Sequence, residues 1–165
     1  MKTALKIATV LTWFNLLLWG YGLIKSLLAV FVTGAFPMLA IFVLLGSIPL
    51  NCYAALQLHK SIRHPSIKLS ANTPIGIRFV GIVAQFFGFF LIIMGMFILL
   101  NTAQTLATLK EQFGKTNEMK DLLSINYLRQ VGGIALFLGL CISVNVVLNF
   151  RLLRWYYLVK QSDVS

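Results

Sequence analysis

The sequence predicts an all-α integral membrane protein, a four-helix bundle with both termini on the cytoplasmic side. Three observations predict it. The 165-residue chain is 59% hydrophobic and 11% charged, with a mean hydropathy of +0.87, whereas a soluble domain carries about a quarter charged residues. It contains four uncharged apolar runs, each close to the roughly twenty residues that carry a helix across a hydrocarbon core. Its basic residues are also spread unequally over the segments that join those runs. The size suits one domain, read as a single transmembrane domain over residues 1–165.

The first span is 7–24, between Lys6 and Lys25. Its 18 uncharged residues exceed the apolar core of a signal peptide, about 7–15 residues, so it reads as a retained helix. No charge occurs from Ser26 to Leu58, more than one span requires. The break is expected at Thr33-Gly34-Ala35-Phe36-Pro37, because glycine permits a turn and proline suits a first helical position. The second span is then 37–58, kinked at Pro49. Residues 25–36 form either an interfacial segment or an extension of the first helix with Lys25 snorkelling. The third span is 79–100, between Arg78 and Asn101, and the fourth is 131–150, between Arg129 and Arg151.

With the N-terminus inside, Lys2, Lys6, Lys60, Arg63, Lys68, Arg78, Arg151, Arg154 and Lys160 share the inner side with Asp163. Lys25, Lys110, Lys115, Lys120 and Arg129 then lie outside with Glu111, Glu118 and Asp121. The inner excess satisfies the positive-inside rule. The net charge of +10 therefore points to anionic lipid headgroups rather than to nucleic acid.

Small residues mark the packing faces. Gly81, Gly88 and Gly95 recur every seven residues in the third span, and Gly132 and Gly139 do so in the fourth. Such stripes let helix backbones approach closely. Val10, Phe14, Leu18 and Gly22 also echo the spacing of Val83, Phe87, Leu91 and Gly95, a pattern that a duplicated hairpin or chance would both produce.

The spans carry amides and hydroxyls but no carboxylate. Asn15, Gln85 and Asn145 are the candidate polar lining of a pathway, set against the reading that such groups bond helices together. Intramembrane Asp, Glu or His, on which proton-coupled carriers rely, is missing from the predicted spans. His59 and His64 bracket the inner loop and read as an interfacial pair, since no third ligand stands near them for a metal. Cys52 and Cys141 are isolated and read as small buried hydrophobes. No nucleophile has an activating base beside it and no phosphate-binding loop occurs. No catalytic, metal-binding or cofactor-binding residue is therefore expected, and the chain reads as non-enzymatic. Arg151 and Arg154, with Trp155, Tyr156 and Tyr157, form an interfacial anchor where the last helix leaves the hydrocarbon.

The second run ends in NCYAALQLHKSI, followed by a short basic loop and an aromatic-rich third span. With Tyr53, Ala55, Leu56 and Leu58 in a Tyr-x-Ala-Leu-x-Leu-like helix end, it resembles a family of small four-span bacterial membrane proteins known only as a domain of unknown function. The family's acidic tail is reduced here to Asp163. The resemblance implies an inner-membrane location, no established activity, and a small helix-turn-helix regulator as a partner. The expected role is an accessory, sensor or interaction subunit, alone or as a homo-oligomer. The alternative is a small homo-oligomeric channel or facilitator lined by Asn and Gln.

Overall fold

The computed structural model describes residues 2–33, 39–64, 66–113 and 124–162. Among them every regular element is a helix: α1 Lys2–Thr33, α2 Leu39–Arg63, α3 Asn72–Leu100, α4 Thr102–Phe113 and α5 Ile125–Ser162. Three of these, over Thr3–Val30, Asn72–Leu100 and Ile125–Val159, are long and apolar enough to cross a membrane. The second expected span, 37–58, falls in its described part on α2, which has 25 residues and is not one of these three.

The helices overrun the expected spans. α1 has 32 residues rather than the run 7–24, so residues 25–33 extend the first helix instead of forming a separate interfacial segment. The physical reason is visible at Lys25. Its ammonium lies 5.0 Å from the centre of the Tyr21 ring one turn back, a cation–π contact that accommodates the charge without ending the helix. The turn expected at residues 33–37 lies, apart from Thr33, outside the described residues. α2 continues through Pro49 and ends at Arg63, five residues beyond the expected boundary. Proline lacks the N–H that would bond the Leu45 carbonyl, yet the helix persists around it.

α3 begins at Asn72, well before Phe79. Pro74 sits within its first turn, where a missing N–H costs nothing because the first four have no helical partner. The inner loop expected between the second and third spans is therefore shortened at both ends, and beyond α2 the His64 carbonyl accepts a bond from the Ile67 amide at 2.9 Å. After α3, Asn101 still donates to Phe97 and accepts from Thr105 at 2.9 Å, so α4 follows α3 with a one-residue joint. α5 opens on Ser124, whose hydroxyl oxygen accepts from the Tyr127 amide at 3.2 Å, a side-chain cap for an orphan donor. It then runs for 38 residues.

The chain divides into two compact units. The first comprises Met1–Phe87 and Cys141–Ser165. Its apolar core joins Ala8 of α1, Ala54 and Leu58 of α2, Ile77 of α3, and Leu152 and Leu153 of α5. Gly81 lets the Phe150 ring close on α3, since a Cβ there would lie 2.9 Å from Phe150 Cε1.

The second unit is Gly88–Leu140, and glycine governs it. A Cβ at Gly95 would lie 2.6 Å from the Leu136 amide nitrogen and 2.7 Å from the Gly132 carbonyl oxygen. A Cβ at Gly139 would lie 2.7 Å from the Gly88 carbonyl oxygen. Gly88 therefore faces Gly139 while Gly95 faces Gly132. Both intervals are seven residues, one heptad or two helical turns, so the antiparallel helices stay in register over that distance.

Gly95→Ala or Gly139→Ala forces backbone apart and should lower stability by about 1–3 kcal/mol, the range for overpacking. Gly20→Ala, where nothing lies within 4 Å of the added carbon, should be neutral or slightly stabilising, because alanine is the better helix former. Thermal unfolding of the detergent-solubilised variants measures the difference. Equal midpoints for Gly95→Ala and Gly20→Ala would contradict the close approach.

Candidate functional site

The first unit has a polar interior. On α1, Thr9, Thr12 and Asn15 recur every three residues, and on α5, Cys141, Asn145 and Asn149 recur every four, so each set occupies one helical face. α2 contributes Asn51, Cys52 and His59. Thr12, Asn15, Asn51, Cys52, His59, Asn145 and Asn149 are all 2% exposed or less, while large apolar side chains such as Val10, Leu17, Phe86 and Val147 lie on the outside.

The buried groups form a directed chain. The Asn149 amide nitrogen donates to Asn145 Oδ1 at 3.2 Å. Its own Oδ1, 2.8 Å from His59 Nε2, must then accept, which places the ring proton on Nε2. The Thr12 hydroxyl donates to the same Asn145 Oδ1 at 2.8 Å, and Asn145 Nδ2 donates to Cys52 Sγ at 3.7 Å. Asn145 thus joins α1, α2 and α5. One turn away, Asn15 Nδ2 donates to the carbonyls of Leu11 and Cys141 at 2.9 and 3.3 Å. Both cysteines are free thiols.

His59 is the titratable member. Its Nδ1 is 3.3 Å from the Thr9 hydroxyl, which also lies 2.7 Å from the Leu5 carbonyl and accepts from Arg63 at 2.9 Å. Thr9 has one hydroxyl proton for two acceptors, the Leu5 carbonyl and the neutral ring nitrogen. His59 stands one residue beyond the apolar run ending at Leu58. Burial holds its imidazole below the ordinary value of 6.5, against the Asn149 hydrogen bond, and the Arg63 charge pushes the same way as burial. No carboxylate of the first unit lies among its described residues. His59 and His64, expected as an interfacial pair, part company: His59 is buried and His64 is exposed. Five residues apart, they lie on different faces of the helical turn.

The predicted lining residues come together in part. Asn15 and Asn145 are buried in the interior, and Gln85 is half-buried with its Oε1 unpaired. Asn15 Oδ1, Asn51 Oδ1 and Ser143 Oγ are likewise without a hydrogen-bond partner. Trp19 meets Phe87 edge-on at 5.4 Å between ring centres. Of the anchor residues, Arg151, Arg154 and Tyr157 are exposed and Trp155 and Tyr156 half-buried. The Tyr156 and Tyr157 rings are 5.9 Å apart. Sequence reasoning missed His59, Thr9 and Cys52 as members of one network. The available signal was the four-residue spacing of Asn145 and Asn149, which marks a polar face that needs partners. No cluster of three or more His, Cys, Asp or Glu suited to a metal occurs among the described residues.

These features define an all-helical protein with three helices able to cross a membrane and a hydrogen-bonded polar interior. The sequence matches no family model, and neither the curated proteins nor the solved structures yield a match.

A folded-state histidine held below its ordinary value contributes stability that is complete above about pH 6.5 and is lost as the pH falls below it. Thermal unfolding in detergent between about pH 5 and 8 should therefore show a midpoint that declines on the acid side. His59→Ala leaves Asn149 Oδ1 without its donor and should cost about 1–3 kcal/mol, with a flatter acid-side slope. His64→Ala, at an exposed side chain, should leave the midpoint at neutral pH unchanged.

Proposed function

We propose that the chain is a non-enzymatic, multi-pass protein of the bacterial inner membrane. In this reading its four spans are the apolar parts of α1, α2, α3 and α5, and both termini are cytoplasmic. It serves as an accessory, sensor or interaction subunit. The carrying observation is that the polar groups of the first unit turn inward and bond one another through Asn145 and Asn149, while the outside is apolar. Such an interior stabilises a bundle in lipid and leaves Asn145 committed to Thr12, Asn149 and Cys52. The charge asymmetry supports the orientation. The resemblance to the four-span family belongs to the same proposal, with a small regulator as the kind of partner to look for.

A homo-oligomeric channel is the second reading, favoured by one observation: the unpaired buried oxygens of Asn15, Asn51, Gln85 and Ser143 in the first unit. Liposome flux separates the two. The accessory reading expects purified protein to give no selective solute flux and to co-purify in fixed ratio with a partner. Selective flux abolished by Asn145→Leu or Gln85→Leu would establish the channel instead. A reporter fused after Ser165 should read as cytoplasmic, and an external signal overturns the orientation.

A further inference from the structure

A groove of about 430 Å³ lies in the first unit, lined by Arg78 and Ile82 of α3 and by Phe150, Leu153, Arg154, Tyr157 and Leu158 of α5. Its volume falls within the roughly 300–1,000 Å³ of small-molecule sites. The α3 residues are one turn apart, and the α5 residues follow the three- and four-residue spacing of a single helical face. Gly81 shapes it, because the ring of Phe150 rests where a side chain on α3 would otherwise stand.

The groove has two chemically distinct parts. Ile82, Phe150, Leu153 and Leu158 make an apolar wall, with Ile82 50% and Leu158 57% exposed. Arg78 and Arg154 bring two guanidinium groups to it, one from each helix. Both are exposed, and no ion pair to either occurs among the described residues. Arg78 immediately precedes the apolar run 79–100, and Arg154 follows the run 131–150 by one turn. The two charges thus stand at the same kind of boundary, with apolar side chains on the membrane-facing side of each.

We infer that Arg78 and Arg154 hold the phosphate of one anionic glycerophospholipid, whose acyl chain lies along Ile82 and Phe150. The guanidinium fork matches phosphate oxygens in bidentate geometry, and the apolar wall supplies what a free phosphate would not use. Charge complementarity selects the occupant: two cations with no ion pair among the described residues, above an apolar wall, call for an amphiphile with an anionic head. Arg151, exposed on the same helix, does not line the groove, so the site discriminates between arginines that diffuse attraction to a charged membrane would treat alike. The inference rests on the membrane reading proposed above.

The test uses the full chain in micelles of a neutral detergent. Native mass spectrometry counts retained lipid, and fluorescence titration measures affinity for phosphatidylglycerol, for phosphatidylcholine and for inorganic phosphate. The wild type should retain one phosphatidylglycerol and prefer it to phosphatidylcholine. Arg78→Gln and Arg154→Gln should each weaken that binding about tenfold, as the loss of a charge-assisted hydrogen bond would, while Arg151→Gln binds like the wild type. Ile82→Trp, which fills the groove and keeps both guanidiniums, should also abolish retention. Comparable lipid-free thermal midpoints show that the variants fold.

Equal weakening by Arg151→Gln would show diffuse attraction and overturn the site. So would equal binding of phosphatidylcholine, or inorganic phosphate binding that Ile82→Trp leaves untouched. Resistance of the chain to alkaline extraction from membranes is scored separately. Extraction sinks the membrane reading, whereas an integral chain without lipid selectivity sinks only this inference.

Discussion

Buried amides without water must find their partners inside the chain, and that constraint shapes the first unit. Leaving an amide or hydroxyl unbonded in apolar surroundings costs on the order of several kcal/mol. Asn145 meets the requirement by serving three helices at once, accepting from Thr12 and Asn149 and donating to Cys52. Its position could not be filled by an apolar residue of similar size without leaving the others unpaired. The same logic makes His59 part of the interior, since Asn149 needs a donor for its oxygen and finds it in the ring nitrogen.

The second unit meets a different constraint by different means. Few polar groups are available there to hold α3 and α5 together, so close contact must do so. Gly88, Gly95, Gly132 and Gly139 bring backbone within van der Waals reach of backbone. Close approach multiplies weak dispersion contacts, each worth only about 0.1–0.2 kcal/mol. Glycine's low helix propensity is the cost of that approach. One chain thus uses hydrogen bonds in one unit and atomic contact in the other, each where its residues allow.

Gly81 connects packing to binding. It admits the Phe150 ring against α3, and the ring becomes part of the wall beside Arg78 and Arg154. A residue suited to close packing thereby shapes a groove that two arginines line. The inward turn of the amides also keeps the outer surface apolar, so the charged groups stand out where the apolar runs end.

Much of this was legible in the sequence. The helical class, the apolar runs now within α1, α3 and α5, the glycine intervals and the position of the Arg-Leu-Leu-Arg-Trp-Tyr-Tyr segment all follow from spacing along one helix. Helix ends were less legible. Residues 25–33 extend α1 because Lys25 finds the Tyr21 ring, and the early start of α3 depends on a first turn that tolerates Pro74. What only the tertiary structure decided was which faces meet. It separated His59 from His64, joined His59 to Thr9 and Asn149, brought Cys52 to Asn145, and set Arg78 beside Arg154 while leaving Arg151 apart. The reason is physical: a 3.6-residue period fixes which residues share a face of one helix. Contact between residues tens of positions apart depends instead on how closely whole helices approach.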